Sequence, residues 1–111
     1  MTGIRMKTIT QNEERILLSI LQLGEDAYLV AIKHHLSKVL HKNISLTSIH
    51  LPLSRLESNG LVESSWGEAT TVRGGRRKRI YRITKHGFEV LEEYHRIHNA
   101  LWQDYTKLAT S

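Results

Sequence analysis

The stretch SLTSIHLPLSRLESNGLVESSW, residues Ser45 to Trp66, passes from helical to alternating hydrophobicity, and that change decides the fold. Ser45 can cap a helix over about Leu46 to Asn59, which Gly60 closes. Leu46, Ile49, Leu53 and Leu56 are spaced three, four and three apart and make one stripe to bury. The opposite side carries Thr47, His50, Leu51, Ser54 and Ser58, with Ser48 and Arg55 on its flanks. Pro52 falls in the helix interior, where a lost N–H bond is expected to kink the axis. Beyond Gly60, Leu61 to Trp66 alternates and reads as a strand.

Working outward, the partner strand is Arg79 to Ile83, rich in β-branched and aromatic residues. The segment between, Gly67 to Lys78, is long for a hairpin loop. On the other side, Thr10-Gln11-Asn12-Glu13 has the capping-box pattern. Ile16, Leu17, Ile20, Leu21 and Leu23 follow at helical spacing, and Gly24 is a stop. Asp26 is expected to cap a second helix, about Ala27 to Leu40, burying Leu29, Ile32, Leu36 and Leu40. Three helices followed by a hairpin with a basic tip is the winged helix-turn-helix order. The expected fold is mainly α with a small β-hairpin. Residues 1–9 form an N-terminal arm, 10–84 the winged helix-turn-helix domain, and 85–111 a long C-terminal dimerisation helix.

That last helix is predicted over Lys85 to Leu108, capped by Thr84; about 24 residues would be roughly 36 Å long. A domain of this size has a radius of gyration near 13 Å, so the helix must project from it. Phe88, Val90, Leu91, Tyr94, Ile97, Leu101, Trp102, Tyr105 and Leu108 share one half of its cylinder. This apolar arc of about 180° exceeds the roughly 100° that one packing surface needs. The excess is expected to meet a second chain. Phe88, Leu91, Tyr94, His95, His98, Leu101, Trp102, Tyr105 and Leu108 are the candidate dimer interface.

Composition bounds the rest. The chain has 111 residues, 40% of them hydrophobic, which suits one core. Zero Cys excludes disulfides, thiolate zinc sites and a Cys nucleophile. The longest apolar run, Ala27 to Ile32, is far short of the about 20 residues that cross a bilayer. Met1 to Lys7 carries charge with no apolar core behind it, so a cytoplasmic protein without a secretion signal or membrane association is expected. No nucleophile elbow, phosphate-binding Gly loop or zinc-protease motif occurs, and Gly67 to Gly75 lacks the Walker spacing, so an enzyme is not expected.

Lys and Arg total 16 against 11 Asp and Glu, a net charge of +5. The excess concentrates in the hairpin, where Arg73, Arg76, Arg77, Lys78, Arg79 and Arg82 fall close together. Solubility alone would account for an average charged loop. A nuclear import tag is another reading of Arg76 to Arg79. Five of the six are Arg, whose planar fork suits phosphate, and Gly74-Gly75 permits close backbone approach. Together with small hydroxyls at the start of the third helix, these cations favour double-stranded DNA as the partner. The helix would enter the major groove and the wing would take phosphates or the minor groove. Candidate DNA-binding residues are Ser45, Thr47, Ser48, His50, Ser54, Arg55, Arg73, Arg76, Arg77, Lys78 and Arg79. Capping alone fully explains Ser45. The alternative is a winged-helix protein-interaction module whose basic wing docks an acidic partner. Leu51 leans that way, although it could equally touch a thymine methyl.

Three segments, in order, carry a resemblance. They are Ile44-Ser45-Leu46, Leu53-Ser54-Arg55-Leu56-Glu57-Ser58-Asn59-Gly60-Leu61-Val62-Glu63 and Arg79-Ile80-Tyr81-Arg82-Ile83-Thr84-Lys85-His86-Gly87. Over roughly residues 16 to 92 the chain resembles the PadR family of bacterial transcriptional regulators, in its short single-domain form. The resemblance implies a homodimer joined through the C-terminal helix, usually a repressor of a palindromic operator, with DNA contacts from the third helix and wing. The third helix departs from the family pattern of a Tyr followed by Pro, having His50, Leu51 and Pro52 instead.

Two other groupings carry a possible chemistry. His34, His35 and His41 lie near the second helix, and His95 and His98 lie three apart on the last. A twofold partner could complete four ligands from His95 and His98, but with no Cys or inward acid, packing at a dimer seam is the expected role and no metal or cofactor is assigned. Protonation of these His is expected to loosen the dimer. Trp102 reads as an interface anchor, with a flat seat for a small aromatic effector between subunits as the sharper option.

Overall fold

The computed structural model describes residues 8–67 and 77–110. Helix α1 (Gln11–Leu23) opens on the expected capping box: Thr10 Oγ1 accepts the Glu13 N–H at 3.0 Å, and Glu13 Oε1 accepts the Thr10 N–H at 2.8 Å. Gly24 ends it with φ +60, the left-handed half of the map that a side chain resists. Asp26 does not cap the second helix. Gly24–Asp26 forms a single 3-10 turn, and α2 (Leu29–Leu40) starts after Tyr28, whose side chain caps nothing. The reason is a long-range bond. The Ala27 carbonyl accepts the Tyr81 N–H at 2.9 Å, which ties this segment to the hairpin and keeps it out of the helix.

Helix α3 (Leu46–Ser58) starts where Ser45 Oγ accepts the Ser48 N–H at 3.2 Å. Ile49, Pro52, Leu53 and Leu56 are buried, whereas Leu46 is 42% exposed. The buried stripe is therefore shifted: Leu46 stands ahead of the packed turns, and the Pro52 ring joins the inner face. The helix runs on through Pro52.

Strands β1 (Val62–Trp66) and β2 (Arg79–Ile83) pair antiparallel, Val62 opposite Ile83 and Trp66 opposite Arg79. The Gly67 N–H donates to the Lys78 carbonyl at 2.7 Å and extends the ladder toward the wing tip. Thr84 then caps α4 (Lys85–Trp102) by accepting the Gly87 N–H at 3.0 Å. Gly87 is buried, and a Cβ there would overlap the Leu61 carbonyl and the Ile83 side chain.

The continuous helix expected to Leu108 is broken. Gln103 turns extended (ψ 137), Asp104 takes φ 69, and a short α5 (Tyr105–Thr110) follows. Asp is among the few residues that enter the left-handed region at small cost, which lets the chain turn here. The core lies where α1, α2, α3, the hairpin and the first half of α4 meet, built on Ile16, Leu17, Ile32, Ile49, Leu53, Leu56, Leu61 and Val90. Ile9, just before α1, is buried with them. Residues 95–110 are all exposed. The chain measures 62 Å on its longest axis with a radius of gyration of 16.7 Å, against about 13 Å for a compact chain of this length. The result is a winged helix-turn-helix carrying a projecting C-terminal arm. Among the described residues no helix is long and apolar enough to cross a membrane.

Candidate nucleic-acid interface

With Ile49, Pro52, Leu53 and Leu56 turned inward, α3 presents Thr47, Ser48, His50, Leu51, Ser54 and Arg55 to solvent. Ser45 and Ser48 are partly committed to each other, since the Ser48 hydroxyl donates to the Ser45 carbonyl at 2.8 Å besides the cap bond. Thr47, His50 and Ser54 make up the rest of a polar strip along the outer face. Leu51, 60% exposed, interrupts it.

Arg55 is held from below. Its Nε donates to Glu13 Oε2 at 3.2 Å, and the Glu13 side chain is only 7% exposed. A buried carboxylate without partners is costly, and here the Thr10 N–H and Arg55 both satisfy it. The Arg55 side chain stays largely exposed.

The wing supplies the cations. Arg77, Lys78 and Arg79 are exposed at its base, while the candidates Arg73 and Arg76 lie outside the described residues. Lys78 Nζ sits 4.0 Å from the Tyr28 ring centroid, so this cation leans toward the start of α2. Arg79 points along the other face of the hairpin. Its Nε donates to Ser64 Oγ at 2.9 Å, its Cζ lies 5.5 Å from the Trp66 ring centroid, and Ser64 in turn donates to Glu57 Oε2 on α3 at 2.6 Å. Arg82 Nη1 donates to Ser65 Oγ at 3.1 Å. Beneath Arg79 the Tyr81 phenol has its pKa raised above the usual 10.0, by burial first, with Arg79 lowering it and Glu57 raising it.

The cations and hydroxyls are legible in the sequence by residue type, whereas the side chains that anchor them are not. Glu13 was legible only as a cap, and no local pattern links it to Arg55 across 42 positions. Glu57, Ser64 and Tyr28 gave no separate signal.

On the projecting arm the expected interface residues divide. Leu91 is buried in the chain's own core, because its helical face looks back onto the domain. Tyr94 packs against that core, and Phe88 is partly exposed. Leu101, Trp102, Tyr105 and Leu108 are exposed, Leu101 at 81%. Tyr94, His98, Trp102 and Tyr105 form a row of rings with successive centroids 6.5, 6.2 and 4.7 Å apart. His95 bonds to Asn99 at 3.0 Å. A groove of about 260 Å³ runs between Thr8, Ile9 and the α4 residues Val90, Tyr94, Ile97, His98 and Leu101. Among the described residues no three His, Asp or Glu side chains gather as metal ligands would.

Comparison with known proteins accords with this architecture. The family model described as the transcriptional regulator PadR-like family matches residues 17–93. Among solved structures, a PadR-like transcriptional regulator from Bacillus cereus is 27% identical, with TM-score 0.71, covering 89% of this chain and 91% of its own. A PadR family transcriptional regulator from Eggerthella lenta is also 27% identical, with TM-score 0.61 and coverage of 86% and 84%. A transcriptional regulator from Clostridium thermocellum shares 24% identity, TM-score 0.66, and coverage of 90% and 97%. No curated protein matches the chain.

Proposed function

The chain belongs to the PadR-like family of DNA-binding transcriptional regulators, and on that premise we propose that it acts as a dimeric repressor of a palindromic operator. The observation that carries this reading is the outer face of α3: Thr47, His50 and Ser54 stand exposed on a helix whose opposite face is buried. Hydroxyl and imidazole groups at this spacing suit base edges in the major groove. Arg77, Lys78 and Arg79 at the wing base suit phosphates, with Arg55 on the flank. The exposed apolar row of Leu101, Trp102, Tyr105 and Leu108 supports pairing of two chains, since such a surface in water favours a partner. A twofold dimer reads an inverted repeat.

Selection of bound duplexes from a random pool at two salt concentrations tests this. Recovery of an inverted repeat is the expected result. Recovery of nothing above background would favour docking of an acidic protein, to which exposed Leu51 leans. The ring row through Trp102 also supports a small aromatic effector between subunits. Absence of Trp quenching with planar cations would remove that idea.

A further inference from the structure

The chain of bonds from α3 through the hairpin has a direction. Ser64 has one hydroxyl proton, and it goes to Glu57 Oε2 at 2.6 Å. Its oxygen lone pairs then face Arg79, and accept the Nε–H at 2.9 Å. Trp66, opposite Arg79 in the strand register, lies under the guanidinium at 5.5 Å. Three side chains, Glu57 on α3 and Ser64 and Trp66 on β1, therefore fix one Arg, and they grip it by the inner edge. Arg79 is exposed, and among the described residues no acid takes up its two terminal NH2 groups. Those groups form a planar fork matched to a phosphate. A free Arg must surrender rotamer freedom to bind, whereas this one has already done so.

We propose that Ser64, oriented by Glu57, is a positioning residue that pre-sets the Arg79 fork for a backbone phosphate passing between α3 and the wing. The assignment rests on the DNA-binding reading above. Neither Ser64 nor Glu57 touches nucleic acid in this scheme. They act through Arg79. The opposite influences of Arg79 and Glu57 on the Tyr81 phenol place all three groups in one neighbourhood, as the scheme requires.

The test is salt-dependent binding of the full chain to a fluorescein-labelled duplex of mixed sequence. Arg79→Ala should lower the slope of log K against log salt by about 0.9 per chain. Ser64→Ala should weaken binding about three- to tenfold and move the slope toward that of Arg79→Ala. Ser64→Thr restores the hydroxyl and should restore both. In an Arg79→Ala background, Ser64→Ala should add no further loss. Thermal melts of each variant report folding separately, and Ser64→Cys, close in size but a weak acceptor for Arg79, gives a second route should Ser64→Ala melt early and should show the same loss. Wild type that binds but is indifferent to Ser64→Ala overturns the positioning role and leaves the function standing. So does an equal loss in the Arg79→Ala background. Wild type that binds no duplex at low salt removes the function itself, and this role with it.

Discussion

Arg55 and Glu13 meet across 3.2 Å, Nε to Oε2, and so join the C-terminal half of α3 to the first turn of α1. The same carboxylate closes the cap on Thr10. One buried group thus holds a helix start and a solvent-facing cation together.

Glu13→Ala removes both bonds at once and should destabilise the fold by about 1–3 kcal/mol. Glu13→Gln keeps the capping acceptor and should cost less. Urea unfolding of the two variants checks the order; equal stability of Glu13→Ala and wild type would contradict it.

Helix and wing should fail differently. Thr47→Ala or His50→Ala should relax selectivity at individual base pairs, by about 1–3 kcal/mol if the contact is direct. Arg77→Ala should instead weaken binding to every sequence and lower the salt slope by about 0.9 per chain. Titration of matched and mismatched duplexes separates the two. A salt slope unchanged by Arg77→Ala would take the wing base off the DNA.

The arm can be tested without DNA. Leu101 is 81% exposed in the single chain, so Leu101→Glu should leave the melting of the winged domain nearly unchanged while shifting sedimentation toward monomer. The same variant should bind an inverted repeat more weakly, by the loss of linked half-sites. A wild-type chain that sediments as a monomer at all concentrations would end the dimer reading.

Tyr81 gives a pH signature. Burial chiefly raises its phenol above the usual 10.0, with a further raise from Glu57 and an opposing pull from Arg79. The folded state then keeps the proton at a pH where the unfolded chain has begun to lose it. Its contribution to stability is complete below pH 10.0 and declines as pH rises through the folded value. Tyr81→Phe should flatten that alkaline decline. Identical pH profiles for the two proteins would rule the contribution out.

Much of the architecture is legible because it is local. The Thr10–Glu13 cap, the Arg79–Ile83 strand and the burial of Ile49, Leu53 and Leu56 on α3 each follow from residues a few positions apart. What escapes is set at long range. Asp26 looks like a cap until the Ala27 carbonyl is claimed by Tyr81 from the far strand. Leu91 shares a helical face with Leu101, and periodicity cannot say that one packs within the domain and the other does not. Of the site, the cations and hydroxyls were readable by type. Their supports, Glu13 and the Glu57–Ser64 pair, depend on approaches that no spacing encodes.

Gly87 has a mechanical corollary. With no side chain between them, α4 rests on the Leu61 backbone, and Thr84 stitches the joint by donating its hydroxyl to the Gly60 carbonyl at 2.6 Å and its N–H to the Leu61 carbonyl at 3.0 Å. Contacts this close resist bending between α4 and the hairpin. If two chains pair through α4 as proposed, the separation between their wings would follow from the angle at which the two α4 helices cross.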